Sequence, residues 1–198
     1  MLAQIARRKL RAVWMLCCIL AVLDGTLGGQ CPKAAPDFNL AAARGGSFRL
    51  QDHMGRAVLL AFLRTQPDVD PTNTSRALVP SLISMDRRYR DSGLNVAMVD
   101  ETALARPENA PNDAGVPGIG ALLNASYDWG LTFPLLADPG SKVAKMYGVN
   151  ELPMIVLIGK KGQVWRCWKG QVHPANLTAG VQELVGGPIT KHPPMDTP

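Results

Sequence analysis

Leu152-Pro-Met-Ile-Val-Leu-Ile158 is the stretch from which the fold is read. Met154 to Ile158 is a strongly apolar run, with the length of a strand rather than of a helix. Lys160-Lys161-Gly162 then turns the chain into Val164 to Trp168, which predicts an antiparallel pair. Upstream, Val58-Leu59-Leu60-Ala61-Phe62-Leu63 follows Gly55 as a continuous apolar run. It fits a strand buried on both faces, as in a parallel sheet. Leu94 to Val99 reads the same way. Phe133-Pro-Leu-Leu136 is a shorter strand whose proline favours a sheet edge.

Helical spacing fills the intervals. Leu78, Leu82, Met85 and Tyr89 recur along one face of a 3.6-residue period, Pro80 sits near the start of that run, and Gly93 supplies a stop. Ile119 to Trp129 is compatible with a helix. Ser141 to Tyr147 is a short one, with Ser141 as expected N-cap and Gly148 as expected C-cap. Pro174 to Val185 closes the domain with Leu177, Val181 and Leu184 on one face. Near the other end, Phe38 to Leu40 and Ser47 to Leu50 alternate around Arg44-Gly45-Gly46 as a short hairpin. Residues 101–117 are rich in Pro, Asn, Asp and Gly and predict a mobile insertion. Strands alternating with helices imply α/β architecture with a parallel or mixed sheet and helices on both faces.

The chain of 198 residues suits one domain with appendages. Its formal charge of +5 is largely terminal: residues 1–30 hold four cations against one carboxylate. The remainder carries no basic excess of the kind nucleic-acid binding needs. Arg7 to Arg11, the apolar run Ala12 to Leu23 and the small residues Gly25 to Gly29 follow the order of a secretory signal. The run is short for a transmembrane helix. Residues 1–30 are therefore expected to be a cleaved signal peptide, with an uncleaved signal anchor as the alternative. A lipid on Cys31 is a third option, from which Gln30 departs by not being small. The protein is expected outside the cytoplasm, as a secreted, periplasmic or membrane-tethered domain over 32–186, with a disordered tail over 187–198.

Of four cysteines, Cys17 and Cys18 lie in the apolar run, leaving Cys31 and Cys167 after cleavage. Two outcomes are open for these: a disulfide in an oxidising compartment, or a loose terminal thiol and a small apolar strand residue. The expectation leans to the unpaired outcome. No Cys or His spacing suggests a metal, no cofactor is expected, and His53, His173 and His192 read as scattered surface residues.

Several motifs fall in order along residues 34–186: Ala35-Pro-Asp-Phe38, Leu50-Gln-Asp52, Gly55 to Phe62, Phe133 to Asp138, Val143 to Val149, Leu152 to Ile158 and Gly170. The chain resembles redoxins in these, both the TlpA/ResA-type thiol–disulfide oxidoreductases and the AhpC/TSA peroxiredoxins. The resemblance implies a thioredoxin-like three-layer sandwich with an N-terminal β-hairpin. It also implies a cis peptide bond before Pro153, with Leu152 and Pro153 forming a peptide-binding groove. Redoxins open their first helix with Cys-x-x-Cys and keep a proline a few residues on. Counting back from Pro80, those thiol positions fall on Thr72 and Ser75. A helix N-terminus stabilises a thiolate, whereas hydroxyls hardly ionise there and form no disulfide. The expectation is a redoxin-like protein that binds a peptide or protein partner without redox turnover, with no catalytic residue. The rival is a thiol–disulfide oxidoreductase or antioxidant redoxin acting through Cys31 and Cys167. Membrane contact is expected only through an anchor or lipid.

Overall fold

A computed structural model describes residues 31–65, 74–105 and 117–187. A small antiparallel hairpin, β1 (Asn39–Ala41) and β2 (Ser47–Arg49), precedes the main sheet. The main sheet contains β3 (Ala57–Leu63), β4 (Leu94–Asp100), β5 (Leu135–Ala137), β6 (Met154–Ile158) and β7 (Val164–Lys169). Its order is β5-β4-β3-β6-β7. β3, β4 and β5 run parallel, while β6 and β7 are antiparallel to their neighbours. Four α-helices lie among the described residues: α1 (Thr74–Tyr89), α2 (Ile119–Asp128), α3 (Lys142–Met146) and α4 (Pro174–Val185).

The period-two geometry of the strands sorts the apolar residues into two cores. Leu59, Ala61 and Leu63 of β3 face one side with Ile155 and Leu157 of β6, and are covered by Leu82 and Met85 of α1, Leu122 of α2 and Leu177 of α4. Val58, Leu60 and Phe62 face the other side with Val156 and Ile158, under Phe38 and Phe48 of the hairpin and Tyr147 just past α3. Every residue of β3 and β6 is buried, which explains why both read as unbroken apolar runs. Each large side chain buried this way contributes roughly 1.5–3 kcal/mol. The result is a three-layer α/β sandwich with helices on both faces.

Helix ends show where local reading held and where it did not. Gly148 stops α3 in left-handed conformation (φ 67°), and Gly93 (φ 94°) turns the chain into β4. Ser141 stands at the N-cap position of α3, but with φ 52° its side chain makes no capping bond. Asp138 does that work instead: its carboxylate accepts the Lys142 and Ala144 amides at 3.0 and 2.9 Å. The two described histidines are engaged rather than idle. His53 stacks on Phe48 at 4.0 Å between ring centres and meets the Asn95 amide at 2.9 Å. His173 caps α4 by accepting the Ala175 amide.

The expectation of unpaired cysteines is corrected. Cys31 and Cys167 form a disulfide, their Cα atoms 6.4 Å apart. The reason lies in the lead-in segment, which runs along the edge of β7. Ala34 bridges Gln163, and the Val164 amide donates to the Lys33 carbonyl at 3.0 Å, so the two thiols are delivered to one place. The expected signal segment, Thr72, the core of the expected insertion and the tail beyond residue 187 lie outside the described residues. No described helix is long and apolar enough to cross a membrane.

Candidate functional site

In a sheet with parallel strands, loops at the carboxyl ends are free to carry chemistry. Here β3 ends at Leu63, and its antiparallel register with β6 pairs Phe62 with Met154. The pairing ends there, with Arg64 just past β3 and Leu152-Pro153 leading into β6 at the same end of the sheet. The Leu152–Pro153 peptide bond is cis, and the Pro153 carbonyl accepts the Gly170 amide at 2.9 Å. Ser75, in the first turn of α1, accepts the Arg64 amide at 3.4 Å. Ser75, opening α1 after β3, and Pro153, leading into the antiparallel β6, therefore lie at the same end of the sheet.

Their exposure changes how that end is understood. Ser75 is only 1 % exposed, and Pro153 is buried too. The Ser75 hydroxyl is an internal tie between α1 and the end of β3. What reaches solvent is the rim around it. One cleft, of about 370 Å³, is lined by Ala77, Leu78, Val172, His173 and Pro174 and is largely apolar. A second, of about 180 Å³, is lined by Arg64, Leu104, Val149, Asn150, Glu151 and Leu152. Leu152 lines this second cleft. Gln171, one residue past Gly170, lines the first.

Behind the rim lies a group of carboxyls for which the residue pattern alone gave no signal. Asp100 ends β4 and accepts the Thr65 amide, the Thr65 hydroxyl and the Thr102 hydroxyl at 3.0, 2.6 and 2.7 Å. Burial still pushes its proton affinity upward, against those bonds. Glu101 has no exposed surface, and neither carboxylate oxygen has a hydrogen-bond partner among the described residues. Burial raises its pKa to about 9, opposed by the nearby Ser141 hydroxyl and reinforced by Asp138 and Asp100. Glu101 is therefore a neutral acid near pH 7.

Cys31 and Cys167 are not part of this end. Cys167 pairs with Val156, which pairs with Leu60, so the disulfide sits level with the middle of the sheet. Both cysteines pack against the core that holds Phe62 and Tyr147, whereas α1 packs against the opposite core. No group of three or more His, Cys, Asp or Glu is placed to hold a metal among the described residues.

Known proteins agree with this architecture. Residues 32–166 match the AhpC/TSA family. The thiol–disulfide oxidoreductase ResA of Bacillus anthracis is 28 % identical over 161 residues, covering 74 % of this chain and 81 % of that protein. ResA of Geobacillus thermodenitrificans is 29 % identical over 152 residues, covering 77 % and 76 %. Among solved structures, the pneumococcal exposed lipoprotein thioredoxin of Streptococcus pneumoniae superposes with a TM-score of 0.58 at 24 % identity, covering 75 % of this chain and all of that one. A secreted Mycobacterium tuberculosis disulfide oxidoreductase superposes with a TM-score of 0.57 at 17 % identity, covering 74 % and 96 %. At these identities the superpositions speak for the thioredoxin-like fold.

Proposed function

This chain belongs to the AhpC/TSA family, and on that premise we propose that it is an extracytoplasmic redoxin that binds an extended peptide or protein segment without redox turnover. One observation carries the reading. At the end of the sheet where Pro153 leads into β6, the first turn of α1 offers Ser75, buried and bonded to the Arg64 amide. A hydroxyl there supplies neither the thiolate that attacks a disulfide nor the sulfur that leaves it. Both cysteines of the described chain are joined to each other on the other face of the sheet. The apolar cleft at Leu78, Val172 and Pro174 and the half-buried Leu152 at the rim of the second cleft are suited to side chains of a strand-like ligand. The signal-like order of residues 1–29 supports export. So does the description of two structural neighbours as an exposed lipoprotein and a secreted protein.

The experiment is a selection of displayed random heptapeptides on the purified protein lacking residues 1–30, repeated with Leu152→Glu. Enriched peptides that bind the wild type and lose affinity for Leu152→Glu support the reading. Absence of enrichment, or binding that Leu152→Glu leaves unchanged, defeats it. The second reading, an oxidoreductase working through Cys31 and Cys167, requires insulin reduction that disappears in Cys167→Ser.

A further inference from the structure

We propose that the cleft between Arg64 and the 149–152 loop is a carboxylate-binding subsite, taking the C-terminal or side-chain carboxylate of the bound peptide. The inference rests on the peptide-binding reading above and names the chemistry that the ligand brings. Arg64 is the residue immediately beyond β3, and strand alternation sends its side chain to the same face as Phe62. The Arg64 Nε is buried, and no acceptor among the described residues lies within hydrogen-bond distance of it. A buried, unpaired donor is costly, and more so when it belongs to a charged group. The arrangement is favourable only when something supplies an acceptor. The guanidinium presents Nε and Nη as a planar fork, and the group that matches such a fork with two parallel bonds is a carboxylate.

The surroundings agree. Asn150 lines the cleft, and its Oδ1 accepts from Lys169 Nζ at 3.3 Å. That leaves the amide nitrogen of Asn150 as a donor and brings a second cation to the same loop. Glu151 is the one acidic residue of the lining, and its carboxylate rests against Gly170 at the end of β7. The volume of about 180 Å³ suits a carboxylate with its adjoining backbone rather than a whole aromatic residue. The apolar cleft at Leu78 and Val172, across the Pro153–Gly170 hydrogen bond, would then hold a side chain further along the same strand-like ligand.

The test uses the protein lacking residues 1–30, labelled with nitrogen-15, and follows the Arg64 Nε–Hε resonance together with the backbone amides of Leu152 and Met154. The probes are acetyl-Ala-Ala with a free C-terminal carboxylate, the same peptide amidated, acetyl-Asp-Ala amide, and inorganic phosphate alone. A saturable shift of the Arg64 Nε resonance with the first or the third probe, absent with the amidated dipeptide, supports the subsite. Which of the two acts tells a chain terminus from an acidic side chain. Arg64→Lys keeps the charge but loses the fork, and should weaken the carboxylate probe by about tenfold or more. An equal shift with the amidated peptide, or with phosphate alone, overturns the proposal. Shifts at Leu152 and Met154 without one at Arg64 overturn the subsite and leave peptide binding standing. Silence at all three residues brings down both.

Discussion

Cys31 and Cys167 are bonded across the edge of the sheet, on the face that α1 does not touch. The bond ties the lead-in segment to the middle of β7. Two backbone bonds already hold that segment to the start of the strand: the Val164 amide to the Lys33 carbonyl, and the Ala35 amide to the Gly162 carbonyl. An edge strand left open is a template for unwanted pairing, and here the chain covers part of its own edge.

The first prediction follows from the size of that loop. The bond closes 136 residues of chain, so it removes much of the freedom of the unfolded state. The double change Cys31→Ser with Cys167→Ser should lower stability by roughly 2–5 kcal/mol in urea titration. Peptide binding at the Leu152 rim should persist under conditions where the variant is folded. A loss of binding by the folded variant would tie the disulfide to the site after all.

Catalysis gives the second. The wild type should not reduce insulin disulfides or consume peroxide at an enzymatic rate, because neither Thr72 nor Ser75 carries sulfur. Installing the pair, Thr72→Cys with Ser75→Cys, should create a reversible disulfide. Its first thiol should titrate below the roughly 8.5 of an ordinary cysteine, because the helix end favours the anion. Thiol trapping across a redox series reads the outcome, and failure to form the bond would displace the site assignment.

Glu101 makes stability depend on pH in an unusual direction. Its proton affinity is raised from an ordinary 4.5 to about 9 by burial and by the facing Asp138 and Asp100. Below the ordinary value, folded and unfolded chains both hold the proton and nothing is lost. Between the two values only the folded chain keeps it, so stability falls as pH rises, by up to about 1.4 kcal/mol per pH unit from this residue. Asp100, also raised by burial, adds a fall of the same sign. Glu101→Gln should flatten the slope and be more stable than wild type at about pH 8. Urea midpoints measured from mildly acidic to mildly basic buffer will decide, and parallel slopes in the two proteins would refute the assignment.

Gly180 yields a prediction opposite to helix propensity. In an exposed helix interior, Gly→Ala stabilises by about 1 kcal/mol. At Gly180, in α4, an added Cβ would fall 2.8 Å from Cη2 and Cζ2 of Trp168 on β7. The indole is rigid and packed against the core of α1 and α4, so it cannot withdraw cheaply. Gly180→Ala should therefore destabilise by about 1–3 kcal/mol, read as a lower thermal midpoint. A raised midpoint would mean that β7 and α4 separate more easily than the packing implies.

The residue order by itself determined the strands, the principal helices and the α/β class, because each is written in short-range periodicity. Val58 to Leu63 and Met154 to Ile158 are apolar without a break, and only a strand covered on both faces wants that. Leu78, Leu82, Met85 and Tyr89 repeat with the turn of a helix. Tertiary structure alone decided what depends on residues far apart in the chain. Ser141 looked like a cap, but Asp138 holds the amides of α3. Cys31 and Cys167, 136 residues apart, meet because the lead-in segment adds to the edge of β7. Ser75 reads as a capping hydroxyl at a helix start, and only the folded chain buries it against the Arg64 amide. Arg64 and Glu101 carry no pattern at all, since a lone arginine or glutamate looks alike on a surface or in a cleft. Their charges acquire meaning only when the sheet removes the water around them, and desolvation is a property of the assembled layers rather than of neighbouring residues.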